Sequence, residues 1–230
     1  MNKKLILTCL SLAAFAVFVV LPASASATRL CETQADDTTC NNIAVGSLIR
    51  GHLVGNNAMT DANGNTLWTC SAGTLTGTLR KNSEKVVEAD IESASLTGTG
   101  AGGECTSSFG GFTTDMNVGN GVPWCLKANN SDTFTIRGNA CSKELRSTTF
   151  VLTSTTAGTC KYNRVNAVEG VITTDNQAGT SEDAQITLSA VEWTKEEGGL
   201  LCPSLGKLDM TFTLETDKTA ATEPLYFKEG

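Results

Sequence analysis

Residues 88–92 have the residue types and the spacing that could bind a cation. Glu88, Asp90 and Glu92 alternate with apolar residues, so a β-strand would place all three carboxylates on one face. A row of oxygen ligands could bind Ca²⁺. A solvated strand face explains the same pattern more simply. Separately, two carboxylates among the 24 acidic residues, with Asp115 and Asp209 as candidates, could hydrolyse a glycosidic bond, but the sequence does not locate such a pair. We therefore predict no metal site, no cofactor and no catalytic residue.

Other polar residues give weaker signals. The single histidine, His52, lies in a predicted strand, and the chain has no G-x-S-x-G or H-E-x-x-H pattern that would indicate a serine hydrolase or a zinc protease. Asp115 and Asp209 both precede methionine, and a strand-end aspartate usually accepts backbone hydrogen bonds. Residues 61–65 begin like a calcium loop but lack its required Gly and Glu, so we predict a turn there.

Three aromatic residues are the candidate ligand-binding groups. Trp68, Trp124 and Tyr226 could each stack on a sugar ring, with an extracellular polysaccharide or an envelope protein as the partner. Core packing is the commoner role of tryptophan in a chain with 6% aromatic residues. Trp124 is the strongest surface candidate, because it follows the loop-like residues 119–123.

The first 27 residues predict export. Two lysines at positions 3 and 4 precede an apolar run over 5–20, and Ala-Ser-Ala triplets end at Ala25 and Ala27. This is the pattern of a signal peptide, so we predict its removal, a secreted or extracytoplasmic location and no membrane span afterwards. The whole chain has a net charge of −7, which argues against nucleic acid as a partner.

The cysteines agree with an oxidising compartment. Eight follow the predicted signal peptide: Cys31, Cys40, Cys70, Cys105, Cys125, Cys141, Cys160 and Cys202. An even number in an exported chain predicts four disulfides, and the spacings do not suit a zinc site. The count alone leaves the pairing open.

Alternating hydrophobicity predicts an all-β fold. Apolar and polar residues alternate over 87–92, 133–137 and 185–190, and clusters of Gly, Asn, Asp and Ser separate these runs. Many short strands with turn signals indicate an antiparallel Greek-key β-sandwich or barrel, stabilised by disulfides.

A self-comparison suggests two tandem, similar halves. The order Ile49-Arg50-Gly51 then Thr69-Cys70 recurs as Ile136-Arg137-Gly138 then Thr159-Cys160. We interpret 28–130, with a Cys31/Cys40 clip at its start, and 131–230 as two β halves related by duplication, with chance similarity as the alternative. One continuous domain and two domains both fit.

The duplication hypothesis restricts the disulfides. Equivalent cysteines should form equivalent bonds, which pairs Cys70 with Cys105 and Cys160 with Cys202. The remaining cysteines then form two local pairs, Cys31–Cys40 and Cys125–Cys141.

Several motifs carry a family resemblance. They are Cys31-x8-Cys40, Trp68-Thr69-Cys70, Val122-Pro123-Trp124, Leu201-Cys202-Pro203 and Pro224-Leu225-Tyr226. With them the chain resembles a family of exported, cysteine-paired, Ser/Thr-rich proteins of actinobacteria. The resemblance implies a secreted all-β protein of bacterial origin, but no known activity and no functional residue.

These observations predict an exported, non-enzymatic binding or structural protein. A secreted carbohydrate-active hydrolase with paired carboxylates is the first alternative. A secreted protein inhibitor is the second, and it would need an exposed rigid loop clipped by a disulfide, such as the segment between Cys125 and Cys141.

Overall fold

The computed structural model describes residues 29–31, 40, 42–55, 57–100, 102–107, 112–115, 123–129, 132–154, 158–173, 184–218 and 221–228. The predicted signal peptide, residues 1–27, lies outside these ranges. The described residues form seventeen strands: β1 (Arg29–Cys31), β2 (Leu48–Leu53), β3 (Asn57–Thr60), β4 (Thr66–Cys70), β5 (Ala72–Ser83), β6 (Val86–Thr97), β7 (Thr106–Ser107), β8 (Phe112–Asp115), β9 (Trp124–Asn129), β10 (Thr133–Gly138), β11 (Thr148–Ser154), β12 (Gly158–Arg164), β13 (Val168–Thr173), β14 (Gln185–Glu197), β15 (Leu205–Lys218), β16 (Ala221–Pro224) and β17 (Tyr226–Lys228). The described residues include no helix that could cross a membrane.

Eight of the strands close into an antiparallel barrel. The ring runs β2, β5, β6, β9, β10, β13, β14, β15, and β15 pairs with β2 to close it. The all-β prediction is therefore confirmed, and of the two predicted architectures the structure forms the barrel. The ring strands follow one another in chain order instead of crossing as in the predicted Greek key. Hairpins β3–β4 and β11–β12 leave the ring, and the chain then returns beside the strand that it left.

The remaining strands extend the barrel at one end. The distal part of β14 pairs with β12, the first residues of β15 pair with β3, and β8 connects β6 to β11. Strand β4 continues this outer sheet to β7. Long strands that run through both parts give the molecule one continuous hydrophobic core.

Side chains fill the interior of the ring. Alternating residues point inward, as the sequence predicts, and six of them are Leu75, Leu126, Phe134, Ile186, Leu208 and Phe212. They enclose an apolar void of only about 30 Å³. The ring of Phe134 lies directly over Gly170, where a Cβ atom would overlap it. As far as the described residues line it, the interior is a packed core without room for a ligand.

Aromatic side chains form the core of the extended end. Phe150 stacks on Tyr162 with ring centroids 5.0 Å apart and meets Trp193 edge-on at 4.7 Å. Nearby, the indole N–H of Trp68 donates to the sulfur of Met59 at 3.1 Å. Such contacts contribute beyond simple area burial, so this cluster joins the outer strands firmly to the barrel.

The first and last described strands close the opposite end of the barrel. Strand β1 pairs with β17, and Leu30, Ile43 and Phe227 are buried there. The side chain of Asn82 accepts a hydrogen bond from Leu30 N at 3.0 Å and donates to Leu30 O at 2.7 Å. It also donates to Ile43 O at 3.2 Å. One side chain therefore anchors both β1 and the segment at Ile43, which together with β17 form a plug at this end of the barrel.

Four disulfides complete the fold. They join Cys31 to Cys40, Cys70 to Cys105, Cys125 to Cys141 and Cys160 to Cys202, with Cα–Cα distances of 5.5, 4.6, 4.7 and 5.7 Å. These are the pairs that the duplication hypothesis predicts. The two longest loops span 35 and 42 residues, and in the chain-entropy model each bond stabilises the fold by about 4 kcal/mol.

Candidate binding surface

The tryptophans suggested as ligand contacts belong to the core. Trp68 is 2% exposed and Trp124 is 4% exposed, and the ring of Trp124 lines the barrel interior. A covered indole presents no face to a sugar, which corrects their assignment as surface ligand contacts. The backbone of Tyr226 lies opposite Cys31 in the β1–β17 pair, but its side chain lies outside the described part of the structure.

The acidic row is a set of separate interactions rather than a joint site. Glu88 lies 3.2 Å from the ammonium of Lys127, and Glu92 accepts a hydrogen bond from Thr78 at 2.8 Å. The Asp90 side chain is only 3% exposed; one oxygen accepts from Arg80 Nε at 2.6 Å, and the other accepts from the backbone N–H of Cys141 at 2.7 Å. Within the described ranges, no three acidic, histidine or cysteine groups come together as a metal site.

Two of the three remaining acidic candidates organise backbone. In the β3–β4 turn, Asp61 accepts hydrogen bonds from the Asn65 side chain at 2.9 Å and from the N–H groups of Asn63 and Asn65 at 2.8 and 2.9 Å. These bonds, that of the Asn65 side chain first, hold the pKa of the Asp61 carboxyl below its usual value. Asp209 accepts from Ala190 N at 2.7 Å, where Ala190 has a φ of 49°. The side chain of Asp115 lies outside the described part of the structure.

His52 has a partner that sequence inspection does not reveal. Its Nε2 lies 2.6 Å from Oε1 of Glu215, on the outer wall of the barrel. The two residues are 163 positions apart, and only the β2–β15 pairing brings them together. Thr213 and Thr74 flank the histidine in register, which makes this a polar patch on the wall.

Among the described residues, the best-organised exposed segment is the connection between β10 and β11, residues 139–147, which we call the clip loop. The Cys125–Cys141 disulfide ties it to β9, and Asp90 binds its Cys141 N–H. At its ends, Gly138 and Arg146 exchange two backbone hydrogen bonds of 3.0 and 2.8 Å. Asn139, with a φ of 82°, spans the loop by donating from Nδ2 to Glu144 O at 2.8 Å.

The tip of the clip loop is open to solvent. Residues 142–146 are all exposed, and Leu145 keeps 39% of its surface accessible. A loop that is fixed before it meets a partner loses little conformational entropy on binding. This arrangement makes the clip loop the candidate binding surface.

The loop differs in position from the clipped loop that the sequence suggests. The segment between Cys125 and Cys141 consists mainly of β9 and β10, whose apolar residues face the barrel core, so the exposed part follows Cys141. Sequence inspection missed Asn139 and the contact from Asp90, which is 51 residues away. The Asn after Gly138 and the polar run over 142–147 were the available local signals.

A second exposed turn lies between β14 and β15. Leu200 is fully exposed and Leu201 is 47% exposed, and Cys202 N donates to Gly199 O at 3.1 Å to close the turn. The ammonium of Lys195 caps the carbonyls of Gly199 and Cys202 at 3.3 and 3.1 Å. This turn offers a natural comparison for the clip loop, because it also places leucine in solvent beside a disulfide.

No protein-family model, curated protein or solved structure matches the chain. The functional assignment therefore depends on the fold and on its surface.

Proposed function

We propose that the chain is an exported, non-enzymatic binding protein and that the clip loop is its binding surface. The observation that carries the proposal is the pairing of a filled barrel with one exposed loop fixed by a disulfide, a buried carboxylate and a spanning asparagine. A packed interior favours action at the surface, and a preorganised loop favours recognition of a partner.

Export is part of the same proposal. Four disulfides are typical of oxidising, extracytoplasmic compartments, and the predicted signal peptide fits that location. The motif resemblance to exported actinobacterial proteins adds a bacterial source to the proposal.

A tandem duplication is a further part of the proposal, and strand pairing supports it. The ring strands β2, β5, β6 and β9 pair in the same order as β10, β13, β14 and β15. In the first half, residues 54–56 are enough to connect β2 to β3, whereas the equivalent connection of the second half is the clip loop, residues 139–147.

Binding would be tested with the oxidised mature protein and two matched variants. Leu145→Ala alters the clip loop, and Leu200→Ala removes an exposed leucine from the other turn. We would measure co-sedimentation with isolated cell walls and insoluble polysaccharides, together with the release of soluble sugars. Retention that falls at least tenfold in Leu145→Ala and is kept in Leu200→Ala is the expected result. Cell-wall retention that Leu145→Ala keeps at the wild-type level, or sugar release, would contradict the proposal, and sugar release would instead favour the hydrolase alternative.

A further inference from the structure

We propose that the clip loop occupies the active-site cleft of a secreted serine protease and inhibits it, with Leu145 in an apolar specificity pocket. This inference rests on the proposed function, because it names the partner of the same surface.

The loop exposes a short backbone segment between two fixed points. A β-turn over 140–143 ends with Lys143 N donating to Ala140 O at 2.9 Å, and Arg146 is fixed again by its bridge to Gly138. Between these points, Glu144 and Leu145 form neither a turn nor a bend. Short extended segments can add to a partner through main-chain hydrogen bonds, and serine proteases position a substrate carbonyl for attack.

The direction of the backbone groups identifies the residue that enters the pocket. Glu144 O is held inward by Asn139, and Arg146 exchanges both of its backbone hydrogen bonds with Gly138. Arg146 forms an antiparallel bridge with Gly138, and the residue before a bridged residue directs its N–H and C=O groups to the other side, so those of Leu145 point outward. Throughout the described ranges, no hydrogen bond reaches the backbone of Leu145. Its carbonyl is therefore available to an oxyanion hole.

The side chains set the expected specificity. Leu145 is apolar and 39% exposed, so it suits a protease with an apolar primary pocket. Lys143 would suit a protease specific for basic residues, but its N–H already donates to Ala140 O within the turn. We therefore expect subtilisin and chymotrypsin to be inhibited, and trypsin to be unaffected.

The anchors of the loop explain inhibition instead of rapid cleavage. In the reaction, the protease serine oxygen would bond to the Leu145 carbonyl carbon, the Leu145–Arg146 C–N bond would break, and the protease histidine would protonate the new amine of Arg146. The bond from Asn139 to Glu144 O and the Cys125–Cys141 disulfide retain one new end, and the Gly138 bridge retains the other. The amine thus stays beside the acyl-enzyme and re-forms the peptide bond faster than water completes hydrolysis.

The test is a set of inhibition titrations with the purified, oxidised mature protein. We would measure initial rates of subtilisin, chymotrypsin and trypsin on chromogenic peptides, with wild type, Leu145→Ala, Leu145→Lys and Leu200→Ala. The expected results are inhibition of the first two enzymes by wild type, at least a tenfold weaker inhibition by Leu145→Ala and no change for Leu200→Ala. Leu145→Lys should transfer inhibition to trypsin. Urea unfolding of each variant shows whether the fold is intact.

Three outcomes would overturn the inference: no inhibition of subtilisin or chymotrypsin, rapid and complete cleavage after Leu145, or inhibition that Leu145→Ala leaves unchanged. If inhibition is absent while retention on cell walls still depends on Leu145, the inference fails and the proposed function stands. If neither inhibition nor retention depends on Leu145, both fail.

Discussion

Replacing Tyr162 with phenylalanine should stabilise the protein, although Tyr162 is completely buried. Its ring stacks on Phe150, and within the described part of the chain its hydroxyl has no hydrogen-bond partner. A buried polar group without a partner costs about 1–3 kcal/mol. Loss of the oxygen leaves a small gap that offsets part of this gain. We therefore expect Tyr162→Phe to raise the free energy of unfolding at neutral pH by about 1 kcal/mol.

The same hydroxyl predicts how stability changes with alkaline pH. Burial raises the pKa of Tyr162 to about 12, against 10.0 for an exposed tyrosine. Below pH 10 both states keep the proton, so stability is unaffected there. Between pH 10 and 12 the unfolded state loses its proton first, and the wild type loses roughly 2–3 kcal/mol of stability across that range. Tyr162→Phe removes this loss.

Urea unfolding at neutral pH and at several alkaline pH values would test both predictions. The difference in the free energy of unfolding between wild type and variant isolates the contribution of Tyr162 from the ionisation of lysines and of Tyr226, the only other tyrosine. Tyrosinate absorbance of the folded wild type gives an independent reading, since one of the two tyrosines should ionise only near pH 12. A variant that is less stable than wild type, with the same alkaline loss, would refute the reasoning because it would reveal a partner for the hydroxyl.

Three further substitutions, the first with a matched control, test the core packing and two anchoring side chains. Gly170→Ala should destabilise the fold by about 2 kcal/mol in urea unfolding, because its Cβ would overlap the ring of Phe134, whereas Gly199→Ala, in open space, should be neutral. Asn82→Ala should lower the free energy of unfolding by about 1–2 kcal/mol and expose β1 to proteolysis, because it removes three hydrogen bonds of the plug. Asp90→Ala should lower the free energy of unfolding by about 2 kcal/mol and speed amide hydrogen exchange at the start of the clip loop. Unchanged exchange would contradict the anchoring role of Asp90.

Local patterns in the sequence predicted the buried faces of β6 and β10, but the alternation over 185–190 fails at Ala190, which is exposed beside the irregularity between Leu188 and Val191. Alternation over 87–91 and 133–137 identifies the inward residues of β6 and β10 correctly, because the two-residue period is a property of a single strand. Closure of the ring depends instead on pairing between distant strands, such as β15 with β2. No local pattern distinguishes that closure from a sandwich, or up-and-down order from a Greek key.

Trp124 illustrates why the surface was harder to predict than the fold. The stretch before it has loop-like composition, yet β9 inserts between β6 and β10 and turns the indole into the barrel. The anchors of the clip loop are equally non-local, since Asp90 reaches Cys141 from the opposite side of that insertion. Burial and anchoring of this kind follow from ring order, which the amino-acid pattern does not encode locally.

The ring order also gives the acidic strand a different meaning. Asp90 could be taken for a calcium-binding or solvated group, but it is covered, and its two oxygens are used by Arg80 and by the clip loop. A carboxylate in that position links the barrel wall to the exposed segment, so the rigidity of the wall extends to Leu145. Among residues 88–92, Asp90 therefore helps to hold the clip loop in a fixed shape. The loop in turn presents Leu145, the residue that a partner would contact.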